Sequence, residues 1–186
     1  DKLIRTGVAG IKKPTGWQKF KALIRDPLRF GPLWQMVFMN FTVSGLGILM
    51  AVRLDEVFRM WPAREERVEL TGHWHVLAAI IATIILLYYG DMLGFKGKLR
   101  QWYGWGIIIA SNIAFGAVTI FEMKRLFISE AEQQPLVNTI IYLMDFGLGM
   151  LLVILALVMF WRLVDLFNRK GRWKTEEKQE LSGEVK

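Results

Sequence analysis

The chain has 186 residues, of which 53% are hydrophobic, and it carries a formal net charge of +7 and no cysteine. The absence of cysteine excludes disulfides, thiolate zinc sites, cysteine-ligated iron–sulfur clusters and covalent c-type haem. The hydrophobic residues form four runs, and each run is long enough to cross a bilayer, which takes about 20 residues. In chain order, the runs cover residues 33–52, 74–93, 102–121 and 136–161.

These runs predict the fold class. A segment inside a bilayer must satisfy its backbone polar groups internally, so we expect each run to form a helix. The sequence therefore predicts an all-α integral membrane protein with a bundle of four transmembrane helices. We expect a cytoplasmic or interfacial segment at residues 1–32, the four-helix domain at 33–162 and a cytoplasmic tail at 163–186.

The distribution of basic residues predicts the topology. Eighteen Lys and Arg residues lie in the N-terminal segment, the second loop and residues 162–186, and six lie in the first and third loops. Lys and Arg are enriched in cytoplasmic loops, so we predict that both ends are cytoplasmic and that loops 54–72 and 122–135 lie outside. The inner (cytoplasmic) membrane of the cell is the expected location. The basic residues are expected to contact lipid headgroups and not nucleic acid.

Two short segments refine this topology. Trp17 and Phe20 alternate with Lys19 and Lys21, which predicts an amphipathic helix on the membrane surface near residues 16–25. The second loop is short and contains glycine, so we expect the second and third transmembrane helices to be antiparallel neighbours.

His73 and His75 are the two histidines of the chain, and they lie where the second transmembrane helix is predicted to begin. Residues two apart on a helix are rotated by roughly 200°, so the imidazoles point to opposite sides and cannot chelate one metal. Each can bind a different partner. Residues 76–79 are small and apolar, as a flat macrocycle requires, and imidazole is a common axial ligand of haem. The alternative is a pair of interfacial histidines that bond to water or lipid headgroups.

The surrounding sequence resembles a known family. Residues 71–77 read Thr-Gly-His-Trp-His-Val-Leu and residues 87–89 read Leu-Tyr-Tyr. Residues 101–104 read Gln-Trp-Tyr-Gly and residues 111–115 read Ser-Asn-Ile-Ala-Phe. Together with Gly94 and Gly97, these segments resemble the tenth and eleventh helices of the catalytic subunit of haem–copper oxidases and nitric oxide reductases. The resemblance extends over residues 33–162 as helices nine to twelve of that subunit.

The resemblance implies a role for each histidine. In that family, the first histidine of the motif is the proximal ligand of a high-spin haem, and the second ligates a low-spin haem on the opposite face of the helix. His73 and His75 would accordingly bind haem iron, with a b-type haem shared with a partner chain. The family also requires a second low-spin ligand and three copper-ligating histidines, and this sequence has no further histidine.

These departures leave three interpretations open: one half of a split catalytic subunit, a reduced relative that retained some haem ligation, or a relative that retained the scaffold alone. We predict a membrane subunit of a respiratory redox complex that ligates haem, transfers electrons together with a partner chain and is not an enzyme alone. The alternatives are a cofactor-free anchoring or assembly subunit of a membrane oxidoreductase and a quinone-site anchor for a peripheral dehydrogenase.

Asp145 is an ionisable residue about ten residues inside the fourth run. An ionised carboxylate at the centre of a transmembrane helix costs about 2.5–3.5 kcal/mol on insertion scales, so Asp145 is a candidate site in a proton relay or a partner for a cation on another subunit. Alternatively, a protonated Asp145 bonds to neighbouring helices. For the other polar residues inside the runs we predict interhelical hydrogen bonds: Asn40, Thr42, Ser44, Ser111, Asn112 and Thr119.

Overall fold

The structure is a computed structural model that describes residues 15–52, 63–127 and 130–167, and every regular element in these ranges is helical. The helices are α1 (Gly16–Ile24), α2 (Pro27–Met39), a π-helical segment (Asn40–Ser44), α3 (Gly45–Val52), α4 (Ala63–Met92), α5 (Gly97–Phe127) and α6 (Glu130–Phe167). The predicted all-α class is therefore confirmed for these ranges.

Three helices are long and apolar enough to cross a membrane. The candidate spans are Trp74–Met92 of α4, Gly97–Lys124 of α5 and Pro135–Phe167 of α6. They coincide with the second, third and fourth hydrophobic runs and indicate a multi-pass protein in a lipid bilayer.

The first hydrophobic run lies in a helix that is uninterrupted over residues 27–52 but contains the π-helical segment at its middle. Met39 and Gly45, which flank that segment, both keep right-handed helical dihedral angles, so the axis continues through it. The run is helical, as predicted, and its division by a π segment could not be expected from its hydrophobicity.

Helix α4 begins earlier than predicted. It starts at Ala63, so residues 63–72 of the predicted outer loop are helical, whereas the candidate span begins at Trp74, as the second hydrophobic run does. The segment is rich in residue types that favour helices. Helical structure also extends into the third predicted loop, because α5 continues to Phe127 and α6 begins at Glu130.

The chain divides into two units, residues 1–151 and 152–186. In the first unit, α2, α4 and α5 pack against one another in all three pairings. In the second unit, the described residues are the last turns of α6, where Arg162 forms an ion pair with Asp165 at 3.9 Å. Helix α6 continues beyond the fourth hydrophobic run as far as Phe167. The predicted remainder of the C-terminal tail and residues 1–14 of the N-terminal segment lie outside the described ranges.

The core of the first unit has two layers. One layer surrounds Val43 of the π segment and Val76 of α4, together with Ile80, Ala114 and Phe115. The other lies towards the connection between α4 and α5 and includes the fully buried residues Leu28, Leu87, Tyr103 and Ile107. Tyr103 donates a hydrogen bond from its hydroxyl to the carbonyl oxygen of Leu86 at 2.9 Å.

Glycines shape the turn between α4 and α5. Gly94 has φ of +71° and Gly97 has φ of +57°, in the left-handed region that glycine adopts at no steric cost. They close a connection of a few residues between two packed helices, so the predicted antiparallel pairing is confirmed. The predicted N-terminal helix is also present as α1, which begins with a capping box between Thr15 and Gln18.

Candidate functional site

An apolar cavity of about 320 Å³ lies among α4, α5 and α6 in the first unit. This volume is near the lower end of the range of about 300–1,000 Å³ that is typical of ligand pockets. One lining side chain, His75, is titratable, and the others are apolar: Val76, Ala79, Ala114, Phe115, Val118, Met144 and Leu148. The surface of the cavity is therefore almost entirely apolar, and His75 borders it.

Helical spacing explains how these residues meet. Each of the three helices contributes a pair four residues apart, and such pairs lie one above the other on the same face of a helix. On α4 the pair is His75 and Ala79, and the adjacent Val76 is buried in the core. The methyl side chains of Ala79 and Ala114 leave the space that longer side chains would fill. The cavity is thus a consequence of small residues at the facing positions.

Gly147 holds α6 close to α5 beside the cavity. A Cβ atom at Gly147 would lie 2.7 Å from the backbone nitrogen of Ala114 and 2.8 Å from the carbonyl oxygen of Ala110. The two backbones therefore touch at this point. Met144 and Leu148, on either side of Gly147 in the sequence, are brought to the cavity wall by the same contact.

The structure places the two predicted ligands differently. His75 borders the cavity. Residue 73 lies in α4, and the helical register puts it roughly 200° around the axis from His75. The side chain of His73 lies outside the described residues, so its predicted contact with a second group stays a prediction.

Asp145 is not part of this cavity. It is exposed on α6, next to Tyr142, which is also exposed. The structure therefore does not bring Asp145 together with His75.

The predicted interhelical hydrogen bonds form in one case. Ser111 accepts a bond from Gln35 of α2. Thr42 and Thr119 instead donate to the carbonyl oxygens of residues four positions earlier in their own helices, each at 2.8 Å. Asn40 does the same through its side-chain amide. For these three residues the prediction is wrong, because the local carbonyl satisfies a short polar side chain without any neighbouring helix.

Sequence reasoning missed Gln35, which is fully buried between α2 and α5. Its Nε2 donates to Ser111 Oγ at 2.7 Å, and Ser111 Oγ donates in turn to the carbonyl oxygen of Ile108 at 3.0 Å. The Oε1 atom of Gln35 has no hydrogen-bond partner in the described part of the chain. In the sequence, this buried position was indicated by an amide side chain among the apolar residues at the start of the first run.

An ionic network joins three elements near the α4–α5 connection. Arg100 donates two parallel bonds of 2.8 Å to the carboxylate of Asp26 and a third bond of 2.5 Å to Asp91. Asp26 also caps α2 by accepting from the backbone nitrogen of Leu28. Bidentate pairs of this kind are among the stronger protein hydrogen bonds. Arg100, which the sequence identified as a topology signal, is therefore also a structural residue.

The described residues contain no group of three or more His, Cys, Asp and Glu side chains that would hold a metal ion. Comparison of the chain with protein-family models, with curated proteins and with solved structures finds no match. The resemblance to the haem–copper oxidases stays a prediction from the sequence.

Proposed function

We propose that this chain is a membrane subunit of a respiratory redox complex that binds a haem through His75 and acts in electron transfer together with a partner chain. The supporting observation is the position of His75 on the wall of an otherwise apolar cavity. Histidine is a common axial ligand of haem iron, and the other residues that line the cavity bordered by His75 are apolar.

The residues of the cavity fit one flank of a haem. The alanines at positions 79 and 114 leave room against which a planar group can lie, and Phe115 offers an aromatic surface. At about 320 Å³, the cavity is too small to enclose a whole macrocycle, so a partner chain would cover the rest and supply a second axial ligand. Haem, when bound, supplies one-electron chemistry at its iron.

The chain itself orients and shields the group. The helix sets the side of α4 on which His75 lies, and the side chains that line the cavity beside it are apolar. The Arg100 network ties α4 to α2 and α5 at the other end of the helices, so the wall that carries His75 is held in place. His73 is assigned to a second group on the opposite side of α4.

The same proposal includes the topology. The helix over residues 27–52 would be the first of four transmembrane helices, in a bundle whose two ends are both cytoplasmic, in an inner membrane. Eighteen of the 24 basic residues support this orientation. Because the chain lacks cysteine, Glu65→Cys should react with an impermeant thiol reagent in intact cells and Lys98→Cys should not. The reverse labelling would contradict the orientation.

The haem assignment is tested by visible absorption spectra and pyridine haemochrome analysis of the purified complex. We expect His75→Ala to remove a low-spin haem signal, because the cavity loses its one imidazole. His73→Ala is the matched control: it should leave that signal in place and disturb a different centre. If both variants assemble with an unaltered haem spectrum, the electron-transfer proposal is wrong.

The nearly uniform apolar lining also supports a second candidate, a cofactor-free or quinone-site anchoring subunit. The isoprenoid tail of a quinone needs only hydrocarbon walls, and seven of the lining residues provide them. A purified complex that contains this subunit, lacks any haem signal dependent on His75 and retains quinone would favour that candidate. In either case we expect the isolated chain to show no oxidase or reductase turnover.

A further inference from the structure

One stripe of α6 collects polar and small residues on a surface that no other described helix covers. Asn138, Tyr142, Asp145 and Gly149 follow one another at intervals of four, three and four residues, which places them within about 60° of one another around the helix axis. All four are exposed. We refer to these four residues as the Asp145 stripe.

The Asp145 stripe is distinct from the two other faces of α6 in the first unit. Gly147 contacts α5, and Met144 and Leu148 line the cavity. Leu143 and Phe146 are exposed and apolar, as expected of a surface that faces lipid tails. Polar character is therefore concentrated on one of the exposed faces.

Asp145 lies deep in the membrane span. Ten residues of helix separate it from Pro135, where the candidate span begins, which corresponds to about 15 Å or half of a hydrocarbon core of about 30 Å. Its short side chain cannot reach either surface from that depth. Carboxylates in transmembrane segments almost always face protein or a water-filled cavity and are paired there.

Within the described part of the chain, Asp145 forms no hydrogen bond or ion pair. Thr139, one turn and a half earlier on the same helix, shows the contrast. Its hydroxyl bonds to the carbonyl oxygen of Pro135 at 3.2 Å and needs no other partner. The carboxylate of Asp145 has no such partner within its own helix, since the backbone N–H groups in a helix interior are already hydrogen-bonded.

We infer that the Asp145 stripe is the docking surface for a transmembrane helix of another subunit that presents a Lys or Arg side chain to Asp145. A cation neutralises the carboxylate in hydrocarbon and supplies hydrogen-bond donors. Gly149 permits the close backbone approach that membrane helix pairs favour, because nothing lies within 4 Å of a Cβ atom built there. This inference does not depend on whether the cavity binds haem.

A second copy of this chain is a poor occupant of the same surface. Two identical stripes related by a two-fold axis along the membrane normal would meet at equal depth, with one Asp145 facing the other. Like charges placed opposite one another at an interface disfavour association. The stripe itself contains no cation that would relieve this repulsion. The charge pattern therefore favours a different, basic partner helix.

The test is site-specific photo-crosslinking in the membranes of the cells that produce the protein. Benzoylphenylalanine replaces Tyr142 on the stripe or, as the matched control, Leu143 on the lipid-facing side. The adjacent positions have the same depth and point about 100° apart. We expect a protein adduct from position 142 that peptide mass mapping assigns to a transmembrane segment containing Lys or Arg. We expect lipid adducts alone from position 143.

The charge requirement is tested in the same membranes, with adducts normalised to the amount of chain. Asp145→Asn should reduce the position-142 adduct by about tenfold or more, because the partner cation is then buried without a counter-charge. Asp145→Glu should retain most of it. Equal adducts at positions 142 and 143, lipid alone at both, an adduct with a second copy, or an adduct unaffected by Asp145→Asn would each overturn the inference. If Asp145→Asn prevents assembly, the test is the partner segment that crosslinks to position 142 in the chain with Asp145 intact. A partner segment without Lys or Arg overturns the inference.

Discussion

The two ends of the helices in the first unit are built differently. Near the α4–α5 connection, a charged network ties three elements together, and Tyr103 bonds across to α4. At the other end, around His75, the helices enclose an apolar cavity, and a π-helical segment lies against the adjacent core. One end is closed by paired polar groups, and the other contains an apolar cavity that His75 borders.

We expect this difference to separate stability from the ligand binding proposed for the cavity. The ion pairs hold the helices together at the closed end. The bundle can therefore tolerate small residues and incomplete packing around the cavity, which on their own would reduce its stability. A cavity left by small residues carries a cost in stability because packing contacts are missing there. Changes at the closed end should therefore affect stability most, whereas changes near the cavity should affect what the cavity holds.

The largest expected effect is at the closed end. Arg100→Met would leave Asp26, whose side chain is 10% exposed, without its cation and would release the start of α2. Removing one partner of a buried ion pair costs about 3–5 kcal/mol, and we expect about 3 kcal/mol here because Arg100 is 17% exposed. The measurement is the free energy of unfolding of the purified chain in mixed detergent micelles.

Lys98→Met is the control for this prediction. Lys98 lies two residues earlier on α5, carries the same charge and is exposed. We expect its loss to change the free energy of unfolding by less than about 0.5 kcal/mol, as for most surface substitutions. Similar destabilisation by the two variants would show that net charge, and not the network, stabilises this end.

A smaller effect is expected where α6 touches α5. Gly147→Ala would drive a methyl group into the backbone of Ala114, which cannot rotate away, so the helices must separate. Overpacking of this kind costs about 1–3 kcal/mol. The cavity wall formed by Met144 and Leu148 should move with α6, so any bound haem or quinone should be lost more readily than from the unaltered protein.

Gly149→Ala on the same helix is the matched control, because a Cβ atom there meets nothing within 4 Å. In the purified chain, this substitution should be neutral or slightly stabilising, since alanine is the better helix former. If Gly147→Ala were equally harmless, α6 would not be packed against α5 as the structure shows.

Hydrophobic runs and glycine positions were sufficient to predict much of the fold. Long apolar segments must be helical in a bilayer, and Gly94 and Gly97 indicated the short turn. Helix ends were less predictable: the segment before His73 was assigned to a loop by its charge, although its residues are good helix formers. The π segment was not predictable, because hydrophobicity carries no information on hydrogen-bond register.

The candidate site was predictable in part. His75 was identified by its residue type and position, but the cavity beside it depends on which small residues face one another across three helices. The spacing of residues along one helix does not show which residues of the other helices they face. The Gln35–Ser111 bond was missed for the same reason, since its partners are 76 residues apart.

The smallest expected effect concerns the buried hydrogen bond between Gln35 and Ser111, and tests whether this bond itself stabilises the protein or only satisfies two buried polar groups. Ser111→Ala would remove the acceptor of Gln35 Nε2 and leave a fully buried amide with no partner at either atom. An unsatisfied buried polar group costs about 1–3 kcal/mol, so this variant should be destabilised by about 1–2 kcal/mol. Replacing both partners, as Gln35→Met with Ser111→Ala, should restore most of the lost stability, because an apolar pair of similar shape leaves no polar group unpaired.

The free energies of unfolding of the two single variants and the double variant measure this coupling. A double variant less stable than Ser111→Ala would mean that Gln35 has a role at this interface beyond its bond to Ser111.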